Sequence, residues 1–147
     1  MSEKKKSLEQ LMFVSGSVFR LLRYEAQKRG VRWTALMVLK DLDLLGPSSQ
    51  QVLVEIEQVT KPTMTVLLKQ MEQRGWIERY VNPDRARENV VTITAQGRTY
   101  LRDEGEHLRR SLEAVLEGVT GKELLQLGQG LEPVVRVLAN NVGLGNS

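Results

Sequence analysis

Apolar residues recur at helical spacing along most of the chain, and the rhythm changes to alternation only once. In residues 7–29, Leu8, Leu11, Met12, Val18, Phe19 and Leu22 share one stripe, with Ser15 inside it, and Gly30 ends the helix. Residues 33–45 predict a second helix with Leu36, Leu39 and Leu42 inward, broken by Gly46-Pro47. Ser48 or Ser49 caps a short third helix, about residues 49–57, with Val52, Leu53 and Ile56 on its apolar side. After a Gln58-Val59 turn, Thr60 is placed to cap a fourth helix and Pro62 lies in its first turn, where the missing N–H costs nothing. Met64, Leu67, Leu68 and Met71 form its buried face, and Gly75 stops it. Residues 76–81 and 90–93 then read as two strands around the turn Asn82-Pro83-Asp84. Thr94 caps a fifth helix, residues 95 to about 117, with Tyr100, Leu101, Leu108, Leu112, Val115 and Leu116 on one face. Thr120 caps a Leu-rich last helix in which Pro133 should kink or restart the run.

The fold class is therefore mainly α with one small β-hairpin, in a single chain, 1–147, without repeats. Residues 31–95 form a compact head. Residues 7–30 and 96–140 are long helices with more apolar surface than one head can cover. Joining them between two copies buries it, and a C2 homodimer is the default closed form. A short helix, a tight turn, a second helix and then a basic hairpin make the layout of a winged helix-turn-helix head.

Charge sharpens this picture modestly. The net charge is +3, with seven cations against three anions in residues 1–30 and six against four in residues 61–90, while residues 31–60 and 91–147 are net acidic. The excess sits on the first helix and on the helix–hairpin unit, as an anionic partner would require. There are no cysteines, which excludes disulfides, thiol redox sensing and Cys-based metal sites. One histidine, His107, has no second histidine at ligand spacing, so no metal is expected. No Gly-rich phosphate loop or Ser-His-Asp set is present, so no catalytic residue, no cofactor and no enzymatic activity are expected. The apolar runs are too short for a membrane span, and nothing resembles a secretory signal, so a cytoplasmic protein is expected.

Three stretches carry a family resemblance over about residues 7–140. Thr60-Lys61-Pro62-Thr63-Met64-Thr65, with Leu67-Leu68 and the run from Met71 to Arg79, is similar to the recognition helix of the multiple antibiotic resistance regulator (MarR) family and its exit into the wing. Asn82-Pro83-Asp84-Arg85-Ala86-Arg87, with Val91, Ile93-Thr94 and Gly97-Arg98, resembles that family's wing. The helix beyond Arg98 and the Leu-rich close resemble its dimerisation helices. The chain departs from the usual Asp-x-Arg wing tip, because two residues, Arg85 and Ala86, separate Asp84 from Arg87. The resemblance implies a transcriptional regulator, commonly a repressor, whose DNA binding is relieved by a small, often anionic aromatic ligand between head and dimer region.

Candidate contacts follow from the helical projection. With the apolar face inward, Thr60, Lys61, Pro62, Thr63, Thr65, Val66, Lys69 and Gln70 face outward, toward the major groove of double-stranded DNA. Thr63 and Thr65 can bond phosphate or base edges, Val66 can meet a thymine methyl, and the lysines suit phosphate. Without Arg or Asn in the first turns, part of the specificity is expected from DNA shape. Either Arg85 or Arg87 enters the minor groove, with Asp84 as orienting partner. A homodimer would then read a pseudo-palindromic operator. Arg20, Arg23 and Trp33 are the candidates for effector binding. The alternative is a winged-helix protein-interaction module without specific DNA readout, suggested by Glu55, Glu57 and the apolar Val66.

Overall fold

A computed structural model of the chain describes residues 2–85 and 88–141. Six helices and three strands follow in the order α1 (Glu3–Lys28), α2 (Trp33–Leu45), β1 (Ser48–Ser49), α3 (Gln50–Glu57), α4 (Lys61–Gln73), β2 (Ile77–Asn82), β3 (Glu88–Ile93), α5 (Ala95–Val115) and α6 (Gly121–Asn141). Most helix starts are side-chain caps, that of α2 excepted: Ser49 Oγ accepts from Val52 N, Thr60 Oγ1 from Thr63 N, Thr94 Oγ1 from Gly97 N and Thr120 Oγ1 from Glu123 N. Gly75 closes α4 at φ +76°, with Gly75 N bonded to Glu72 O and Trp76 N to Met71 O. This paired ending satisfies the last carbonyls and needs a residue free to adopt the left-handed conformation.

The strands form one antiparallel sheet in the order β1-β3-β2. Ile77 faces Ile93 and Asn82 faces Glu88 across the hairpin, while Ser48 and Ser49 pair with Val91 and Val90. The third strand, β1, is an addition to the expected hairpin. Two serines carry no alternating pattern, so only the edge of β3 recruits them.

Beneath the sheet lies the head's core. Val38, Leu39 and Leu42 of α2, Leu53 of α3, Met64, Leu67, Leu68 and Met71 of α4, and Ile77 and Val91 are all buried together. Burial of each large side chain contributes about 1.5–3 kcal/mol, so the four residues of α4 hold that helix firmly against α2 and α3. A second, smaller core joins Ala26, Val31 and Leu36 to Leu108 of α5, packed by Trp33, Met37, Leu101 and Leu112.

The terminal helices remain largely uncovered. In α1 only Glu25 and Ala26 are buried, and α6 buries none of its residues. Met12, Phe13 and Phe19 of α1 and Leu125, Val135, Val137 and Leu138 of α6 are exposed. Two expectations need adjustment. α1 begins at Glu3 rather than residue 7, because Ser2 Oγ caps it through Lys5 N. α6 runs unbroken through Pro133, so no restart occurs there. No helix among the described residues is long and apolar enough to cross a membrane.

Candidate nucleic-acid interface

The outer face of α4 carries Lys61, Pro62, Thr63, Thr65, Val66 and Lys69, all exposed, while its inner face is sealed in the core. Val66 is 55% exposed although it is apolar. Thr60, the cap, donates its hydroxyl to Thr63 Oγ1 at 2.8 Å. Thr65 donates to the Lys61 carbonyl at 2.9 Å and accepts from Gln50 Nε2 at 2.8 Å. Gln50 is 9% exposed and opens α3, so α3 reaches under the first turns of α4. Gln70 stands apart from the other outward residues: its Oε1 accepts from Arg32 at the start of α2, at 2.8 Å. That bond turns Gln70 toward the α1–α2 junction.

The wing is braced to α4 from the side. Arg79 of β2 pairs with Glu72 at 3.0 Å, and the guanidinium holds the Glu72 carboxyl below its ordinary range. At the tip, Asn82 Oδ1 accepts from Asp84 N at 3.0 Å and Arg85 O accepts from Glu88 N at 2.9 Å. Such an asparagine turn tightens the loop with its own side chain. Arg85 is exposed beside Tyr80, Asn82 and Glu88. Among the described residues no ion pair joins Asp84 to Arg85. Arg87 lies outside the described residues.

A different electrostatic feature lies under the helix-turn-helix. Asp41 of α2 and Glu57, the last residue of α3, meet side chain to side chain in a half-buried position. Burial, then the bond to Asp41, pushes the Glu57 carboxyl up to about 9. Burial raises Asp41 as well, and its Oδ2 is buried with no hydrogen-bond partner among the described residues. Two carboxylates this close favour sharing one proton. Sequence reading noted Glu57 only as a local acidic charge, since Asp41 is sixteen positions away.

Of the expected effector residues, the structure brings Arg23 and Trp33 together and leaves Arg20 aside. A groove of about 410 Å³ between α1 and the start of α2 is lined by Phe19, Arg23, Gln27, Val31, Arg32, Trp33 and Thr34. Phe19 meets Trp33 edge to face at 6.5 Å, and the Arg23 guanidinium lies 5.9 Å from the Phe19 ring centre. Arg20 turns instead to Ser17 Oγ at 3.4 Å. Phe19 and Arg32 were missed as groove residues because the first reads as stripe and the second as a helix-start charge.

Comparison with known proteins places the head. Residues 31–88 match the MarR family profile. A curated relative from Bacillus subtilis (strain 168), the uncharacterized HTH-type transcriptional regulator YwoH, is 31% identical over 65 residues. That match spans 44% of each chain, so the chain covers less than half the length of this relative. Solved structures are similar over nearly the whole chain. A mutant of MarR from E. coli is 20% identical, with 86% of this chain and 94% of that one covered at a TM-score of 0.73. The transcriptional regulator BldR from Sulfolobus solfataricus is 22% identical, with 92% and 98% covered at 0.72. A mutant of E. coli MarR complexed with operator DNA is 20% identical, with 90% and 99% covered at 0.66. These likenesses establish the mainly helical winged fold with its three-stranded sheet.

Proposed function

We infer, from a head that belongs to the MarR family of winged helix-turn-helix transcriptional regulators, that this chain is a homodimeric, sequence-specific DNA-binding regulator rather than an enzyme. One observation carries the reading. The polar and basic face of α4 is exposed and unobstructed next to an exposed wing arginine, while the opposite face of α4 is locked in the core. A rigid helix with a free basic face, flanked by a basic hairpin, suits one major groove and the adjoining minor groove. A relative of the same fold is described in complex with operator DNA, which supports the same role here. The exposed apolar residues of α1 and α6 supply the surface for a second copy, and two heads then read a pseudo-palindrome about one helical turn apart. Repression from a cytoplasmic location, relieved by a small anionic aromatic ligand, completes the proposal. The Phe19–Arg23–Trp33 groove supports that part, since it offers ring faces beside a cation.

The test is a salt titration of binding, after selection of a palindrome from a random DNA library by the full chain. Each phosphate contact adds about 0.9 to the slope of log affinity against log salt. Arg85→Ala should weaken binding about fivefold or more and lower that slope by roughly one if the contact is to phosphate. Affinity independent of salt, or no enriched sequence, would refute the reading. An unaltered Arg85→Ala protein would move the minor-groove role to Arg87.

A further inference from the structure

We infer that Thr65 is a dedicated hydrogen-bond acceptor in the DNA groove, fixed by the positioning residue Gln50, and that it reads the exocyclic amino group of adenine or cytosine. The inference rests on the DNA-binding reading above and specifies what one of its residues recognises. A threonine hydroxyl has one proton and two lone pairs. The Lys61 carbonyl can only accept, so the 2.9 Å contact commits the Thr65 proton to it. Gln50 must then present its amide N–H, not its oxygen, at 2.8 Å, and this consumes one lone pair. One lone pair remains, on an exposed side chain.

What can use that lone pair is restricted. Phosphate oxygens, thymine O4 and guanine O6 and N7 are all acceptors and gain nothing from it. The major-groove donors are the N6 amino group of adenine and the N4 amino group of cytosine. Thr63 has the opposite polarity: it accepts from Thr60 at 2.8 Å and keeps its own proton for a phosphate or a base acceptor. Two threonines two positions apart, identical in sequence, are thus set by their neighbours to opposite hydrogen-bond polarity. Gln50 is nearly buried, so it acts through Thr65 and not by reaching the DNA itself.

The experiment uses the full chain and the half-site it selects. At each half-site position, adenine is replaced by purine without the N6 amino group, and cytosine by pyrimidinone without the N4 amino group. With the wild type, one position should lose about three- to tenfold in affinity, the range of a single net hydrogen bond. Thr65→Val, of the same shape but without the acceptor, should be insensitive to that replacement. Gln50→Glu should weaken the same discrimination, because a carboxylate competes with the Lys61 carbonyl for the Thr65 proton and no longer fixes the hydroxyl. Purine against pyrimidinone tells which base is read. The inference is overturned if no amino deletion affects the wild type. It is also overturned if Thr65→Val weakens all sequences equally, which is the mark of a phosphate contact. If either variant fails to fold, the wild-type response to the deleted amino group still decides. Selection of no sequence at all refutes the DNA-binding reading itself, and this inference with it.

Discussion

Gly97, in the first turn of α5, is where the wing is fastened to the rest of the molecule, and Gly97→Ala should loosen it. The backbone N–H of Gly97 bonds Thr94 Oγ1 at 3.0 Å, and Thr94 in turn donates its hydroxyl to Gly75 O at 2.5 Å and its N–H to Trp76 O at 3.0 Å. A methyl group on Gly97 would overlap the Trp76 carbonyl oxygen and stand 3.0 Å from both Trp76 C and Ile93 Cγ1. The obstacle is backbone, so no side-chain rotation can relieve it. Relief requires α5 to back away by about 1 Å, judged against optimal carbon contacts of about 3.5–4.0 Å. That shift breaks the Thr94 bonds and the stack of Trp76 on Tyr100, whose ring centres are 3.9 Å apart. Overpacking costs about 1–3 kcal/mol, and the lost contacts add about another 1 kcal/mol. The better helix propensity of alanine returns about 1 kcal/mol. The net loss is about 1–3 kcal/mol, or roughly 2–12 °C in melting temperature for a chain of this size. Thermal unfolding followed by circular dichroism reads it. Gly105→Ala, in the same helix but with open space around its Cβ position, is the control and should melt at or above the wild type. A Gly97→Ala protein as stable as the wild type would show that α5 and the wing are not held at this point.

The Asp41–Glu57 pair predicts a pH dependence. The folded state raises Glu57 from 4.5 to about 9, so folding takes up a proton, and the associated stability is present below about pH 4.5 and lost as pH rises through 9. Glu57→Gln should flatten the decline in melting temperature over that range, and an unchanged slope would refute the shared proton. In the helix-turn-helix turn, Gln58 sits at φ 53° and ψ 42°, a conformation that costs a non-glycine residue about 1–2 kcal/mol. Gln58→Gly should raise stability by about 0.5 kcal/mol once the entropy of glycine is counted. A fall instead would mean that the Gln58 bond to Glu55 O, at 2.6 Å, outweighs the relief of strain.

The local chemistry of α4 and its surroundings was legible residue by residue. Thr60 caps the helix, Met64, Leu67, Leu68 and Met71 are its buried face, Gly75 ends it and Thr94 starts the next one, as period and capping chemistry require. These features depend on residues three or four apart, and such spacing is written in the chain itself. Contacts between distant residues were not legible. The strand at Ser48-Ser49 exists because β3 offers it an edge. Arg20 leaves the groove and Phe19 and Arg32 enter it because of how α1 crosses the start of α2. The raised carboxyls of Asp41 and Glu57 depend on the meeting of α2 with the end of α3. Helix α4 shows the same division most clearly. Its exposed Thr63 and Thr65 follow from helical period alone. Their hydrogen-bond polarity is decided by what else is in reach, and for Thr65 that is Gln50, fifteen residues earlier on another helix. A hydroxyl's role depends on which neighbour takes its proton, and only the tertiary fold chooses that neighbour.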